Sequence, residues 1–482
     1  MGSGAPRDEW DLTLEAAKIP VAGRRGRGIT INGQYPGPLV RLREGHEAVI
    51  RVHNQLRGPA SVHWHGLLLP PEMDGVPGVS FDGIEAGTTF EYRFRVRQSG
   101  TYWYHSHVGT QEQRGLLGAM VIDPAVDGSG DTAGPIDREF IVVFSDWTFM
   151  DAARIMAVLK KQSHYFNFQK RTVFDALSGR DGMTLRQTLM WGRMRMNPTD
   201  ISDVTAAAYE FLINGHDAAE NWTAVFRPGE RIRLRFINAS AMTTFDVRIP
   251  GLPLQIVGAD GQPVVPVEVD EFRIAVAETY DVVVTPEAQA YTLFAETMDR
   301  SGFARGTLAP RDGMAAPIPE RRKRPLLTMA DMGMVHDTAG GMSEMAGTDH
   351  DAAGSAHHQG HGAQAPPDPS AALYVRRSEA KGIPPADLGA LGPIPRHGPD
   401  GHGPGNIMVA EQPRLRVAER GIGLEDAPWR VLVYADLMAP VDGVDPRPPA
   451  REIEVHLTGH MELYIWSFDG KKYAEDPFVD LS

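Results

Sequence analysis

The chain has 482 residues, 42% of them hydrophobic, a formal net charge of -14 and no cysteine. That length fits about three domains with real cores, while the negative charge repels nucleic acid and anionic membrane surfaces and concentrates cations. A chain without cysteine cannot build disulfides, zinc ribbons, iron-sulfur clusters, thiol nucleophiles or a blue-copper centre from its own residues. No apolar run approaches the roughly 18 residues of a membrane span, and Met1-Gly2-Ser3-Gly4-Ala5-Pro6 carries no apolar core of a secretory signal.

In chain order, Leu42-Arg43-Glu44-Gly45 introduces a strand that ends at His53-Asn54, and His63-Trp64-His65-Gly66 follows. Phe90, Tyr92, Phe94 and Val96 then alternate with Glu91, Arg93, Arg95 and Arg97, the period of a half-buried antiparallel strand. Next comes Trp103-Tyr104-His105-Ser106-His107. Residues two apart on a strand share a face, roughly 6.5 to 7 Å from each other. Two such strands side by side would therefore aim four imidazoles at one pocket. Neutral imidazole suits copper, zinc, iron or nickel, and the sequence pattern alone leaves that choice open.

From Asp146 to Thr199, apolar residues at helical spacing (Ile155, Met156, Val158, Leu159) predict a partly helical insert. Met190, Met194 and Met196 within it read more readily as core than as a thioether patch. Ile232, Leu234 and Phe236 alternate with Arg231, Arg233 and Arg235, again the pattern of a half-buried antiparallel strand.

These elements repeat. Arg227-Pro228-Gly229-Glu230 and the strand to Ile237-Asn238 resemble the first copy. Thr101 to His107 has a counterpart in Ala290 to Glu296, where Phe294 and Glu296 replace His105 and His107. The second copy is thus expected to keep the fold without the metal pairs. Between about Pro310 and Pro413 the chain turns rich in Gly, Ala, Pro, Met and His, a composition with little packed core. A third copy opens at Asp469-Gly470-Lys471-Lys472-Tyr473, which resembles Asn32-Gly33-Gln34-Tyr35. Repeat spacing places its ligand pair at roughly position 500, beyond Ser482. His46, His53, His164 and His216 read as surface or structural histidines, and His456 and His460 precede the third copy, out of register with a ligand pair.

His63-Trp64-His65-Gly66 and Tyr104-His105-Ser106-His107, set in this repeat, resemble the first two copper motifs of the multicopper oxidases. Trp191 to Asp200, Asp270-Glu271-Phe272-Arg273, Ala277 to Asp281 and Leu457-Thr458-Gly459 resemble the bacterial copper-resistance oxidases of the CopA type. The resemblance implies an all-β chain of tandem cupredoxin-like Greek-key β-sandwich domains. The expected division is a first domain at 8–125, a second at 138–308 with the insert at about 150–200, a Met/His-rich linker at 309–413, and the start of an incomplete third domain at 414–482.

It also implies that His63 resembles a type 2 copper ligand, and that His65, His105 and His107 resemble ligands of the type 3 pair. Asp74, in Met73-Asp74-Gly75, matches an acidic residue near the three-copper cluster, where a carboxylate would orient water or supply protons. The family's third and fourth motifs, His-Pro-x-His-x-His and His-Cys-His, are absent from these residues. The expectation is therefore an oxidase that couples one-electron oxidation of Cu(I), or of phenols, to reduction of O2 to water, in a chain that is inactive by itself. A periplasmic location is implied by the resemblance alone. In the linker, Met329, Met332, Met334, Met342 and Met345 with His336, His357, His358 and His361 offer donors suited to Cu(I), while low-complexity linker is the equal alternative. The rival from another class is a non-catalytic protein that binds and sequesters copper.

Overall fold

The computed structural model describes residues 6–332, apart from 79, 129, 180–182 and 195, together with 416–441, 457–460, 464–468 and 470–471. The first sandwich is built from β1 (Arg7–Val21), β2 (Arg24–Ile31), β3 (Gly37–Arg43), β4 (Glu47–Asn54), β5 (His63–His65), β6 (Thr89–Arg95), β7 (Gly100–His105) and β8 (Leu117–Asp123). One sheet has the order β2-β1-β4-β6, the other β3-β8-β7-β5. Alternate residues of each close on a shared core: Leu12, Ile50, Val52 and Tyr92 from the first, Leu42, Trp64, Tyr104 and Met120 from the second.

The second sandwich repeats this plan with β9 (Arg138–Trp147), β10 (Glu210–Ile213), β11 (Trp222–Val225), β12 (Ile232–Asn238), β13 (Phe245–Arg248), β14 (Leu254–Ala259), β15 (Gln262–Val269), β16 (Glu271–Ile274), β17 (Thr279–Val284), β18 (Tyr291–Thr297) and β19 (Phe303–Ala309). Its sheets run β10-β9-β12-β17-β14-β15 and β11-β19-β18-β13-β16. The copying extends to single side chains. β1 runs parallel to β4 as β9 does to β12. Asn54 donates to the Gly58 and Ile84 carbonyls, and Asn238 to those of Thr243 and Ile274, at the same corner of each sandwich.

The insert expected in the second copy contains α1 (Ala152–Leu159), α2 (Val173–Ser178) and α3 (Leu185–Arg193). Ile155 and Leu159 bury the inner face of α1, and Asp151 caps it by accepting from the Arg154 N–H. Thr172 with Asp175, and Thr184 with Gln187, form capping boxes that start α2 and α3.

The reading of Ile232 to Phe236 as a half-solvated antiparallel strand needs correction. β12 pairs antiparallel with β17 but parallel with β9, and all its residues are buried, arginines included. Its second face meets the first sandwich instead of water. Arg233 is paired there with Asp131, and Arg235 with Glu139 at 2.9 Å and Asp281 at 2.9 Å. Glu139 also takes Arg41 of the first sandwich, so the seam is cross-linked by ion pairs whose charges are compensated where they are buried.

Residues 416–441, placed by sequence at the opening of a third domain, are fastened to the second sandwich. Leu432 N–H donates to the Glu271 carbonyl at 2.8 Å, Val431 bridges β16 at Glu271, and Val265 N–H donates to the Met438 carbonyl. Arg416 lies 2.9 Å from Asp331, so the chain on either side of 333–415 meets at one ion pair. A hairpin of β20 (Leu457–His460) and β21 (Ile465–Phe468) then leads to a bridge between Phe468 and Lys471 around Gly470. The same bridge joins Ile31 to Gln34 and Ile213 to His216. Gly33, Gly215 and Gly470 all have positive φ (74°, 82° and 77°), the backbone these tight turns require. The turn at Gly470 thus has the same bridge and the same glycine conformation as the turns at Gly33 and Gly215.

Candidate metal centre

Alternation decides which way β5 faces. Trp64 is fully buried among Tyr92, Tyr104 and Phe94, with ring centroids 5.2, 5.8 and 6.3 Å away. His63 and His65 therefore point from the opposite, outer face of the sheet. Burying a large apolar side chain contributes roughly 1.5–3 kcal/mol, and a one-residue slip would bury two imidazoles in its place. On β7, Tyr102 and Tyr104 join the same core and leave Trp103 and His105 on the outer face. The register then sets His63 opposite His105 and His65 opposite Trp103.

His107 does not share this ladder. β7 ends at His105, where Ser106 N–H turns to the Leu116 carbonyl, and His107 N–H donates to Ser61 Oγ at 3.0 Å. Its ring still lies near the others, with centroids 4.7 Å from His63 and 5.0 Å from His105. Among the described residues, one ring nitrogen from each of His63, His65 and His105 come together within 4.8 Å of one another. His107 is the exposed fourth member of the group.

The donor set suits a borderline metal. His65 Nδ1 and His105 Nε2 face each other at 3.2 Å. Two ligand nitrogens on one ion at 2.0–2.1 Å and a tetrahedral angle stand roughly 3.3 Å apart. His63 Nδ1 donates to the Asp74 carbonyl at 2.8 Å, which assigns its proton there and leaves Nε2 free. Burial, reinforced by the neighbouring imidazoles, pushes His65 down to about 4, and the part of the His107 ring packed against His63 and His105 lowers it likewise although the residue keeps an exposed edge. Burial also lowers His63, outweighing its bond to Asp74. Rings held neutral at pH 7 are the form that ligates.

Asp74 closes the short turn Pro71–Met73, and its carboxylate Oδ1 stands 3.4 Å from the His63 nitrogen that its own carbonyl holds. Gly75 makes this approach feasible: its φ is 76°, and a Cβ there would overlap the Val62 carbonyl beside β5.

Two neighbours were not evident from sequence. Trp103 stacks on His105 (centroids 4.1 Å, planes 13° apart) and on His65 (5.1 Å, 26°). The signal was there, since Trp103 sits two before His105 and so shares its face. Glu112 brings Oε2 to 2.9 Å from His105 Nδ1. It lies in an irregular turn, where no periodicity marks it. Trp103, Leu117 and Ala119 pack against Val143, Ile237 and Ala239, so the second sandwich covers one end of the imidazole-bearing face.

Elsewhere, Met329 is buried and Met332 half-buried. Met334, His336, Met342, Met345, His357, His358 and His361 lie outside the described residues. His46 and His53 each meet an aspartate, Asp8 and Asp11, at 3.0 Å. In the second sandwich Glu296, the counterpart of His107, belongs to a buried ionic cluster. Asp246 and Glu296 stand opposite each other, held by Arg300 (2.5 Å to Asp246), Arg273 (2.7 Å to Asp246) and Arg322 (2.9 Å to Glu296). Burial alone would raise the Asp246 carboxyl, but Arg273 and Arg300 hold it below the ordinary range.

Comparison with known proteins agrees with this architecture. Two family models described as multicopper oxidase match residues 13–127 and 138–311. Copper resistance protein A of Escherichia coli is 46% identical over 478 residues, covering 97% of this chain and 78% of that protein. The homolog from Pseudomonas syringae pv. tomato is 47% identical over 479 residues, covering 98% and 78%. The solved laccase from Botrytis aclada superposes with a TM-score of 0.51 at 25% identity, over 66% of this chain and 56% of that one. With its repeated sandwiches, its paired histidines and these relatives, the chain belongs to the multicopper oxidase family.

Proposed function

We propose that this chain holds copper through His63, His65, His105 and His107 and serves in copper resistance, coupling oxidation of Cu(I), or secondarily of phenols, to reduction of O2 to water. The carrying observation is the meeting of three imidazoles, with ring nitrogens within 4.8 Å, on the outer face of the first sandwich. Bound there, copper would supply the one-electron steps that pass four electrons to oxygen.

The chain's own residues orient and protonate. The Asp74 carbonyl fixes the His63 tautomer, and its half-exposed carboxylate beside that ring is the proton source and water-orienting group of this reading. In this reading His63 is the type 2 ligand, and His65, His105 and His107 belong to the type 3 pair. These residues form half of a three-copper arrangement, and with no cysteine in the sequence the thiolate of a type 1 site is not among them. The remaining ligands are to be supplied by other residues, so the chain by itself binds copper without turning over oxygen.

The proposed compartment is the periplasm, by likeness to the copper-resistance proteins; no helix among the described residues is long and apolar enough to cross a membrane. The Met and His residues of 329–361, with their thioether and imidazole donors, support a second reading, copper sequestration.

The test is anaerobic copper titration of the chain and of a His63→Ala, His105→Ala variant. Equal copper uptake by both would sink the assignment. Oxygen uptake with Cu(I), once a cupredoxin domain bearing His-Cys-His is supplied, favours the oxidase. Cu(I) that stays reduced in air, and is released when 329–361 is deleted, favours sequestration.

A further inference from the structure

His105 occupies the centre of the donor group, yet its second ring nitrogen has an unusual situation. With His105 Nε2 directed at His65 and the donor group, ligation through Nε2 would leave the ring proton on Nδ1, which is buried. No aligned hydrogen-bond acceptor serves that nitrogen. The Glu112 carboxylate comes within 2.9 Å of it but off the N–H direction. The two statements are compatible: the distance is that of a bond, the angle is not. A buried N–H without an acceptor costs on the order of 1–3 kcal/mol, so the geometry needs an explanation.

The turn that carries Glu112 explains why the carboxylate stands where it does. Gln111, just before it, accepts from Ser106 Oγ at 2.8 Å and donates to the Pro59 carbonyl at 2.8 Å, both within the first sandwich. Gln113, just after it, reaches the second sandwich. It donates to the Asp146 carbonyl at 2.9 Å and to Asp146 Oδ1 at 3.2 Å, and accepts from the Tyr209 hydroxyl. Asp146 is itself held by the N–H groups of Ala241, Met242 and Thr243. Glu112 therefore sits between one anchor on each sandwich.

We infer that Glu112 is a positioning residue for the copper centre: it accepts from His105 Nδ1–H when Nε2 is ligated, and the second sandwich, which contributes no ligand, fixes its place through Gln113. Metal-bound histidines commonly carry their other N–H to a carboxylate, which sets ring orientation and basicity, and removing that acceptor weakens metal binding about 10–100-fold. This inference rests on the copper reading of the four histidines.

The experiment compares the full chain with Glu112→Ala, Glu112→Gln and Gln113→Ala. It measures copper affinity by competition with a chromophoric chelator, the EPR spectrum of bound Cu(II), and the melting temperature of each metal-free protein. Glu112→Ala should bind copper about 10–100-fold more weakly, with a changed EPR spectrum and an unchanged metal-free melting temperature. Glu112→Gln, which keeps a carbonyl acceptor, should recover most of the affinity, and Gln113→Ala should fall between. Wild-type affinity and spectrum in Glu112→Ala overturn the inference while leaving the copper reading intact. So does an equal loss in Glu112→Gln, or a loss matched by a fall in the metal-free melting temperature. If the unaltered chain binds no copper, the reading beneath the inference fails and takes the inference with it.

Discussion

Asp246→Ala probes the buried ionic cluster of the second sandwich. The carboxylate is fully buried and takes Arg300 at 2.5 Å and Arg273 at 2.7 Å. Arg300 is 1% exposed, so its charge has no water to turn to, whereas Arg273 is 20% exposed and is partly relieved by solvent. Leaving a buried charge unpaired costs about 3–5 kcal/mol. Glu296, 3.7 Å from Arg300, stays in place and sets the value at the lower end, about 3 kcal/mol. In a domain of about 150–250 residues each kcal/mol moves the melting temperature by about 2–4 °C, so a fall of about 6–12 °C is expected. The same arginines hold the Ile422 and Gly423 carbonyls at 2.7 and 2.9 Å, so the 416–441 segment should also become a protease target. Calorimetry with timed trypsin digestion measures both. A fall below about 2 °C with an unchanged digest would refute the reasoning, because the cluster would then not hold the segment.

Three further outcomes follow from the candidate metal centre. With folded values of about 4 for His65 and His107 against an unfolded value of about 6.5, the unfolded chain takes up protons first. Metal-free stability is then complete above pH 6.5 and falls steadily toward pH 4, His65 contributing more because His107 is exposed; a His65→Gln, His107→Gln variant with the same slope in urea titrations would contradict this. Gly75→Ala forces a side chain into φ 76° against the Val62 carbonyl; it should cost about 2 kcal/mol or more and weaken copper binding by moving the Asp74 carbonyl from His63, and full retention of both would exclude that role. Trp103→Phe should keep copper affinity and Trp103→Leu lose it, since only the first preserves a ring over His65 and His105; equal affinities would show that stacking does not orient the imidazoles.

Local patterns carried much of this architecture. Trp64 between two histidines already states that the imidazoles face away from the core, and Asn32-Gly33 states a tight turn that returns at Gly215 and Gly470. What escaped depends on contacts between distant parts of the chain. Arg233 and Arg235 look solvated in a strand pattern, but the first sandwich covers them, and Asp131 of the connecting segment with Glu139 and Asp281 of their own sheet compensates their charges. His107 has the spacing of a strand residue, yet the backbone has already turned toward Leu116 by Ser106. Glu112 is set by the anchoring of Gln111 and Gln113 on different sandwiches, which no periodicity encodes.

The meeting of Asp331 with Arg416 bears on how freely the intervening segment can vary. Because its two ends are brought together on the second sandwich, its length need not match any span between folded parts. Lengthening a loop whose ends already meet costs only about 0.6 kcal/mol per doubling. Changing the number of residues between Asp331 and Arg416 is therefore expected to leave the stability of the two sandwiches nearly unchanged, whatever methionines and histidines the stretch carries.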